Sequence, residues 1–512
     1  MDWTGGYVAD IGYTAGFYPE TTPSHMAFAA LSASRSPGRA LRPERVLELG
    51  FGQGFGLALL AAANPQVKCE GYDFNPEHVA HARDLIKGAG LSNLEVSEAS
   101  FEEAALRGGD NNVDAIAVHG IFSWVSHQAQ DAIVTIVRQR LQPNGLIYIS
   151  YNCMPGWAAL APIKLFMREV KRRNPGRSSD RQLALALDLM GKLKDGNAAY
   201  FAANPAAVQH LNHLLQQDRI YLAHEYLDEH WDLFQFSDMV MRMGEAKLAY
   251  VCSATVVENI DAYAVPPRLL PALAATDDPV MRETVRDYVA NKRFRRDVYA
   301  RGSAGMTAAE HRRILSEFRF ALTVPRNTMT FKFLTPVGEV MGIPQIYEPV
   351  ADLLANKIAG FDELLAMPSL GNAKLGNLLD CLTMLVASGR VLPIVSTSAP
   401  VDVGPAQRFN KLIVEKGRAG RTYRHLAAPV AGTGVAASDL ALLVLLALFD
   451  GRGDDAAMAA KHALAHLKTV GKLPMRDGKL LTEETEGLRF LEESFHPIIQ
   501  DVIPLWRRLG VL

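Results

Sequence analysis

The sequence predicts an α/β fold: a Rossmann-like domain with a mostly parallel, doubly wound sheet, followed by mainly helical middle and C-terminal domains. Three observations support it. Short β-type runs alternate with helical runs between residues 45 and 151. The first strand ends in a cluster of glycines. The alternation stops after Asn174-Pro175-Gly176. A chain of 512 residues is too long for one hydrophobic core, since domains usually span ~100–200 residues. We expect three domains, with boundaries at 1–175, 176–300 and 301–512.

In chain order the runs are Arg45 to Leu49 (strand), Gly54 to Ala63 (helix), Val67 to Asp73 (strand) and Pro76 to Lys87 (helix). Strands at Leu94 to Ser97 and Val113 to Val118, a helix from Gln128 to Leu141 and a strand from Gly145 to Tyr151 follow. Such alternation implies right-handed βαβ units, with ligands at the carboxyl ends of the strands. Beyond residue 176 the pattern is helical apart from a β-like stretch at Lys247 to Val257. Ala304 to Phe320 reads as one helix, and Phe361 to Pro393 as two helices leading to a short strand, the order of a winged-helix-like module. The tail predicts an apolar helix from Asp439 to Phe449, capped by Ser438 and stopped by Gly451.

Composition narrows the function classes. Hydrophobic residues make up 49% and charged residues 21%, the balance of a globular protein. Lys plus Arg (53) and Asp plus Glu (55) nearly cancel, so no global field draws the chain to nucleic acid or to an anionic membrane. The basic run Lys164, Arg168, Lys171, Arg172, Arg173, Arg177, Arg181 reads as a solvated helix end. The longest apolar run, Leu440 to Phe449, falls short of the ~20 residues that cross a bilayer. The first residues lack the pattern of a secretory signal, so a cytoplasmic location is expected. Cys69, Cys153, Cys252 and Cys381 are scattered and predict ordinary buried thiols, with no metal site.

The strongest local signal is Val46-Leu-Glu-Leu-Gly-Phe-Gly-Gln-Gly54. Glycines at 50, 52 and 54 let the backbone turn tightly and let a ligand approach main-chain atoms. A dinucleotide site would use GxGxxG, whose third glycine would fall on Phe55 or Leu57. The spacing is instead E-x-G-x-G-x-G, which resembles the first motif of class I methyltransferases. Glu48 can attract the cationic amino-acid end of S-adenosylmethionine and would repel a pyrophosphate. Asp73, 23 residues after Gly50 at the end of the second strand, can accept both ribose hydroxyls, with Asn75 capping the next helix and Phe74 between them. Ser100 and Phe101 stand where such enzymes place residues near the adenine, although Phe101 also suits the core. Tyr7, Tyr13, Phe17 and Tyr18 form an aromatic N-terminal arm, read as a lid over the cofactor, with Tyr13 in contact with it, or as packing against the sheet.

Two further stretches, His119-Gly-Ile-Phe-Ser-Trp-Val125 and Tyr151-Asn-Cys-Met-Pro-Gly-Trp157, join Leu222-Ala-His-Glu-Tyr-Leu227, Trp231 and Ala428-Pro-Val-Ala-Gly-Thr-Gly434. Together they resemble bacterial methyltransferases with a so-called regulatory domain, a group that includes protein lysine methyltransferases acting on a rickettsial outer-membrane protein. Gly52 departs from many relatives, which carry alanine there. The resemblance implies S-adenosylmethionine as cofactor and transfer by in-line displacement. The candidate catalytic residues are Tyr151, Asn152, His119 and Trp124, with Trp157 completing an aromatic wall that desolvates an amine and lowers its pKa. His119 is a candidate base, a structural hydrogen-bonding residue, or a cofactor contact. His224 and Glu225 read as packing or interdomain residues, while Asp228, Glu229 and Asp232 offer charge to a cationic substrate. Protein lysine methylation, methylation of a small metabolite, and a cofactor-sensing scaffold all fit these features. The expected partner is therefore a protein or small-molecule acceptor, not nucleic acid or membrane.

Overall fold

A computed structural model describes residues 15–302, 305–371, 374–397, 399–418, 423–453 and 455–512. Its main sheet contains β1 (Arg45–Leu49), β2 (Lys68–Asp73), β3 (Leu94–Glu98), β4 (Val113–Val118), β5 (Leu141–Asn152), β6 (Leu248–Ser253) and β7 (Phe294–Arg301), in the order β3-β2-β1-β4-β5-β7-β6. The first five strands pair in parallel, and β7 lies antiparallel between β5 and β6. Strand order reverses between β1 and β4, and the crevice above that point is where ligands bind in open α/β sheets.

Alternation along the strands feeds two separate cores. Val46, Leu146 and Tyr148 enter one, with the helices Phe55–Ala63 and Pro76–Ala89. Leu47, Leu49, Ile147, Ile149 and Tyr151 enter the other, with the helix His127–Arg140. The sheet takes its last two strands from the segment 176–300. β7 escapes sequence reading because Phe294-Arg-Arg-Asp297 looks like surface. In the fold Arg295 and Asp297 are buried together, the guanidinium meeting Asp297, Asp287 and Glu283. Charge-charge pairing thus replaces the apolar pattern that marks a central strand.

Between β5 and β6 the chain inserts helices that build their own core, among them Ala161–Arg173, Ser179–Asp195, Pro205–Leu214 and Arg219–Leu227. In the C-terminal part the helix expected to run to Phe320 stops at Leu315. Phe318–Leu322 is a strand, with Arg319 exposed and the other four residues buried. It pairs with Ala359–Gly360 and Val391–Val395 in a three-stranded antiparallel sheet. The expected helices at Phe361–Leu365 and Lys374–Ala387 lie between those two outer strands. The tail helix Asp439–Phe449 forms as expected: Ser438 Oγ accepts from the Ala441 amide at 3.2 Å, and Gly451 takes φ +70° just beyond the end. All four cysteines are buried and free. Among the described residues no helix is long and apolar enough to cross a membrane, and no His/Cys/Asp/Glu group could hold a metal ion.

Candidate active site

The turn after β1 is built from glycines in left-handed conformations, with φ of +72°, +57° and +70° at Gly50, Gly52 and Gly54. A Cβ at Gly50 would stand 2.4 Å from Ile121 Cδ1, and one at Gly54 2.4 Å from Ala82 Cβ. Only glycine satisfies both the torsion and the space. The turn is tied to β2 through Asp73. The Gly52 amide donates to Asp73 Oδ2 at 2.8 Å, the Asn75 amide to Oδ1 at 3.0 Å, and His78 Nδ1 lies 3.2 Å from Oδ1. These contacts let Asp73 brace the turn. Asn75 caps the following helix, its Oδ1 accepting from the Glu77 amide at 2.9 Å.

Above the turn lies a cavity of about 720 Å³, within the usual ~300–1,000 Å³ of small-molecule sites. Glu48, Gly50, Gly52, Gly54, Asp73, Phe74, Ser100 and Phe101 line it from β1, β2 and β3. Burial, then Asp73, pushes the Glu48 carboxyl up to about 7. Ser100 caps the helix Phe101–Leu106, its Oγ accepting from the Glu103 amide at 3.2 Å, and Phe101 belongs to both the cavity wall and the core.

The β4, β5 and β7 ends and the inserted helices supply the rest of the wall: His119, Trp124, Asn152, Trp157, His224, Glu225, Asp228, Arg293, Phe294 and Arg296. His119 shares a 2.8 Å hydrogen bond with the Tyr148 hydroxyl and stacks at 3.8 Å on Tyr18, which reaches the cavity from the N-terminal arm. Burial holds its imidazole down at about 4, so the ring is neutral at neutral pH and serves as a hydrogen-bonding wall. Phe17 is buried, and Tyr7 and Tyr13 lie outside the described residues.

Tyr151 is not brought into the cavity. Strand alternation turns it to the opposite face, where its hydroxyl donates to Asp297 Oδ2 at 2.5 Å. Burial, then Asp297, raises its pKa well above the ordinary phenol value. Its neighbour Asn152 faces the cavity, and its side-chain NH2 is buried without a hydrogen-bond partner among the described residues. Trp124 and Trp157 also line the cavity. Trp157 packs edge-on against Trp231 at 5.0 Å, whereas the Trp124 ring carries the Lys164 ammonium 4.2 Å from its centre.

Sequence reading missed the inward placement of His224 and Glu225. The available signal was an ionisable pair on a short helix rich in apolar residues, followed by Asp228 just past its end. The basic run is also not a solvated helix end throughout. Lys164, Arg168 and Lys171 donate to the carbonyls of Glu225 (2.5 Å), Glu229 (2.8 Å) and Leu227 (2.8 Å), closing the carboxyl end of the helix Arg219–Leu227. Lys164 is buried and also faces Trp231 and Tyr226. Burial lowers its pKa and raises that of Glu225.

A glycine turn with an acid before it and an acid one strand over, on a sheet of this order, defines a methyltransferase, and comparison with known proteins agrees. Residues 46–145 match the family described as a methyltransferase domain, and residues 218–301 match a predicted methyltransferase regulatory domain. An uncharacterized protein of Synechocystis sp. is 34% identical over the whole of both chains. An uncharacterized protein of Rickettsia prowazekii is 26% identical over 56% of this chain and 51% of its own length. The fold of PKMT2 from Rickettsia typhi, solved in complex with AdoHcy, superposes with a TM-score of 0.68 at 18% identity, covering 98% of this chain and 99% of that one. The chain belongs to the class I S-adenosylmethionine-dependent methyltransferases that carry a methyltransferase regulatory domain.

The residues fit that cofactor. The space a Cβ would fill at Gly50 and Gly54 allows close approach to the backbone, Glu48 places a carboxylate at the cavity wall, and Phe74 and Phe101 give it an apolar side.

Proposed function

We propose that the protein methylates a cationic amine, in the first place the side chain of a lysine in a protein. The observation that carries this reading is the grouping of Glu225, Asp228, Trp124, Trp157 and the unpaired Asn152 amide around one cavity. Aromatic faces and carboxylates together select an ammonium over a neutral hydroxyl. The shared fold with PKMT2 supports the same reading.

A lysine ammonium, with a pKa near ~10.4, must lose a proton before its nitrogen can attack. Trp124 and Trp157 exclude water and favour the neutral amine. Glu225 is the group able to receive the proton, because burial raises its carboxyl toward neutral pH and so makes it a competent base. Asn152 orients the acceptor segment through its NH2. When bound, the cofactor supplies a methyl group activated by an adjacent sulfonium; the protein's part is alignment and dehydration.

The test is incubation with radiolabelled methyl donor and cell extract, comparing the wild type with Glu225→Gln and Asp228→Asn. Methyllysine in hydrolysed protein, lost in both variants, is the expected result. Label confined to small molecules would favour metabolite methylation. No label at all from protein that binds S-adenosylhomocysteine normally would refute methylation of an amine.

A further inference from the structure

The cofactor turn is gripped by a part of the chain more than three hundred residues away. His81, on the helix after β2, places Nδ1 2.5 Å from the carbonyl oxygen of Gln53, a residue of the turn that lines the cavity. Its Nε2 lies 2.8 Å from the hydroxyl of Tyr423, in the C-terminal domain. The Tyr423 ring is buried and stacks on Phe55, the first residue of the helix that leaves the turn, with centroids 4.8 Å apart and planes at 29°. A carbonyl oxygen only accepts, so Nδ1 carries a proton. In the neutral ring Nε2 is then an acceptor and the Tyr423 O–H donates to it.

The same C-terminal stretch also packs against Asn64 and Phe17. Asn64 donates to the Gly432 carbonyl at 2.9 Å, His425 lies 5.4 Å from the Phe17 ring, and a Cβ on Gly434 would meet Phe17 at 2.7 Å. Phe17 is flanked by Gly16 and Tyr18, both of which line the cavity. Three glycines leave the turn soft, and the His81 contact adds a second restraint to that of Asp73.

We infer that His81 and Tyr423 are positioning residues for the cofactor, and that the C-terminal domain sets cofactor affinity by holding the Gln53 carbonyl through the imidazole that Tyr423 orients. Without the Tyr423 hydroxyl the imidazole loses the contact that fixes its ring orientation, its bond to the Gln53 carbonyl loosens, and the turn samples conformations that do not bind.

Calorimetric titration with S-adenosylhomocysteine, alongside melting of the ligand-free protein, tests this independently of any acceptor. Tyr423→Phe keeps the ring on Phe55 and removes only the O–H; affinity should fall about three- to tenfold, the range for one lost hydrogen bond. The ligand-free melting temperature should stay within about 2 °C, a range in which stability is nearly unchanged. His81→Phe should lose at least as much affinity, and the double variant should lose no more than His81→Phe, because both act through one contact. Wild-type affinity in Tyr423→Phe, losses that add in the double variant, or a large drop in ligand-free melting that accompanies weaker binding would each overturn the inference.

Discussion

Replacing Glu48 by Gln should weaken cofactor binding while stabilising the cofactor-free protein. Burial, then Asp73, pushes the carboxyl up to about 7, against roughly 4.3 in an unfolded chain. At pH 4 the group is largely protonated in both states and costs the fold little. As pH rises from about 4.3 to about 7 the unfolded chain ionises first, so the native state loses stability progressively, and above about 7 the loss is constant. At roughly 1.4 kcal/mol per pH unit the gap amounts to about 3–4 kcal/mol. Glu48 lines the cavity and is partly exposed there, so solvent screening leaves about 1–2 kcal/mol. Gln carries no such penalty, so the variant should melt higher than the wild type at pH 8 and equally at pH 4. Binding moves the other way. The cationic end of the cofactor needs the carboxylate, and at pH 6 only about a tenth of Glu48 is ionised, so affinity for S-adenosylhomocysteine should drop about tenfold from pH 8 to pH 6. At pH 7 about half a proton should be released per ligand bound. Scanning calorimetry at the two pH values and titration in buffers of different ionisation enthalpy measure both effects. A variant that melts no higher at pH 8, or a wild-type affinity flat between pH 6 and 8, would refute the assignment.

Tyr151→Phe removes a donor from the buried Asp297 network and should destabilise the fold by about 1–3 kcal/mol, with turnover per folded molecule unchanged; lost turnover at unchanged stability would put Tyr151 back in the chemistry. Asn152→Ala should leave S-adenosylhomocysteine affinity and melting as in the wild type while single-turnover methylation falls at least about tenfold, since the lost amide has no partner among the described residues. Wild-type turnover would remove it from the site. Lys164→Met takes away the cation that holds the Glu225 carboxyl down. The acidic limb of the rate profile should therefore move to higher pH, and an unmoved limb would show that another group controls it.

What could be read from the chain was whatever is decided within one βαβ unit. Glu48, the glycines and Asp73 lie close together in sequence, and their spacing has one arrangement on a strand, turn and strand. The same locality made the Ser438 cap legible, because its hydroxyl needs only the first turn of its own helix.

The facing of Tyr151 and Asn152 needed more. A one-residue step along a strand reverses the face, and only the folded sheet shows that Asn152 lines the cavity while Tyr151 enters the core. β7 was hidden because Arg295 is satisfied in the interior by Asp297 and by Glu283 and Asp287 from the preceding helix, an arrangement that no strand pattern carries. The residues that close the acceptor wall, and the Tyr423 contact to His81, come from segments far apart in sequence. The chain by itself determined the cofactor motif, because torsions and spacing act over a few residues. The folded structure decided which side chains share the cavity, because that depends on strand register and domain packing, which bring distant residues together.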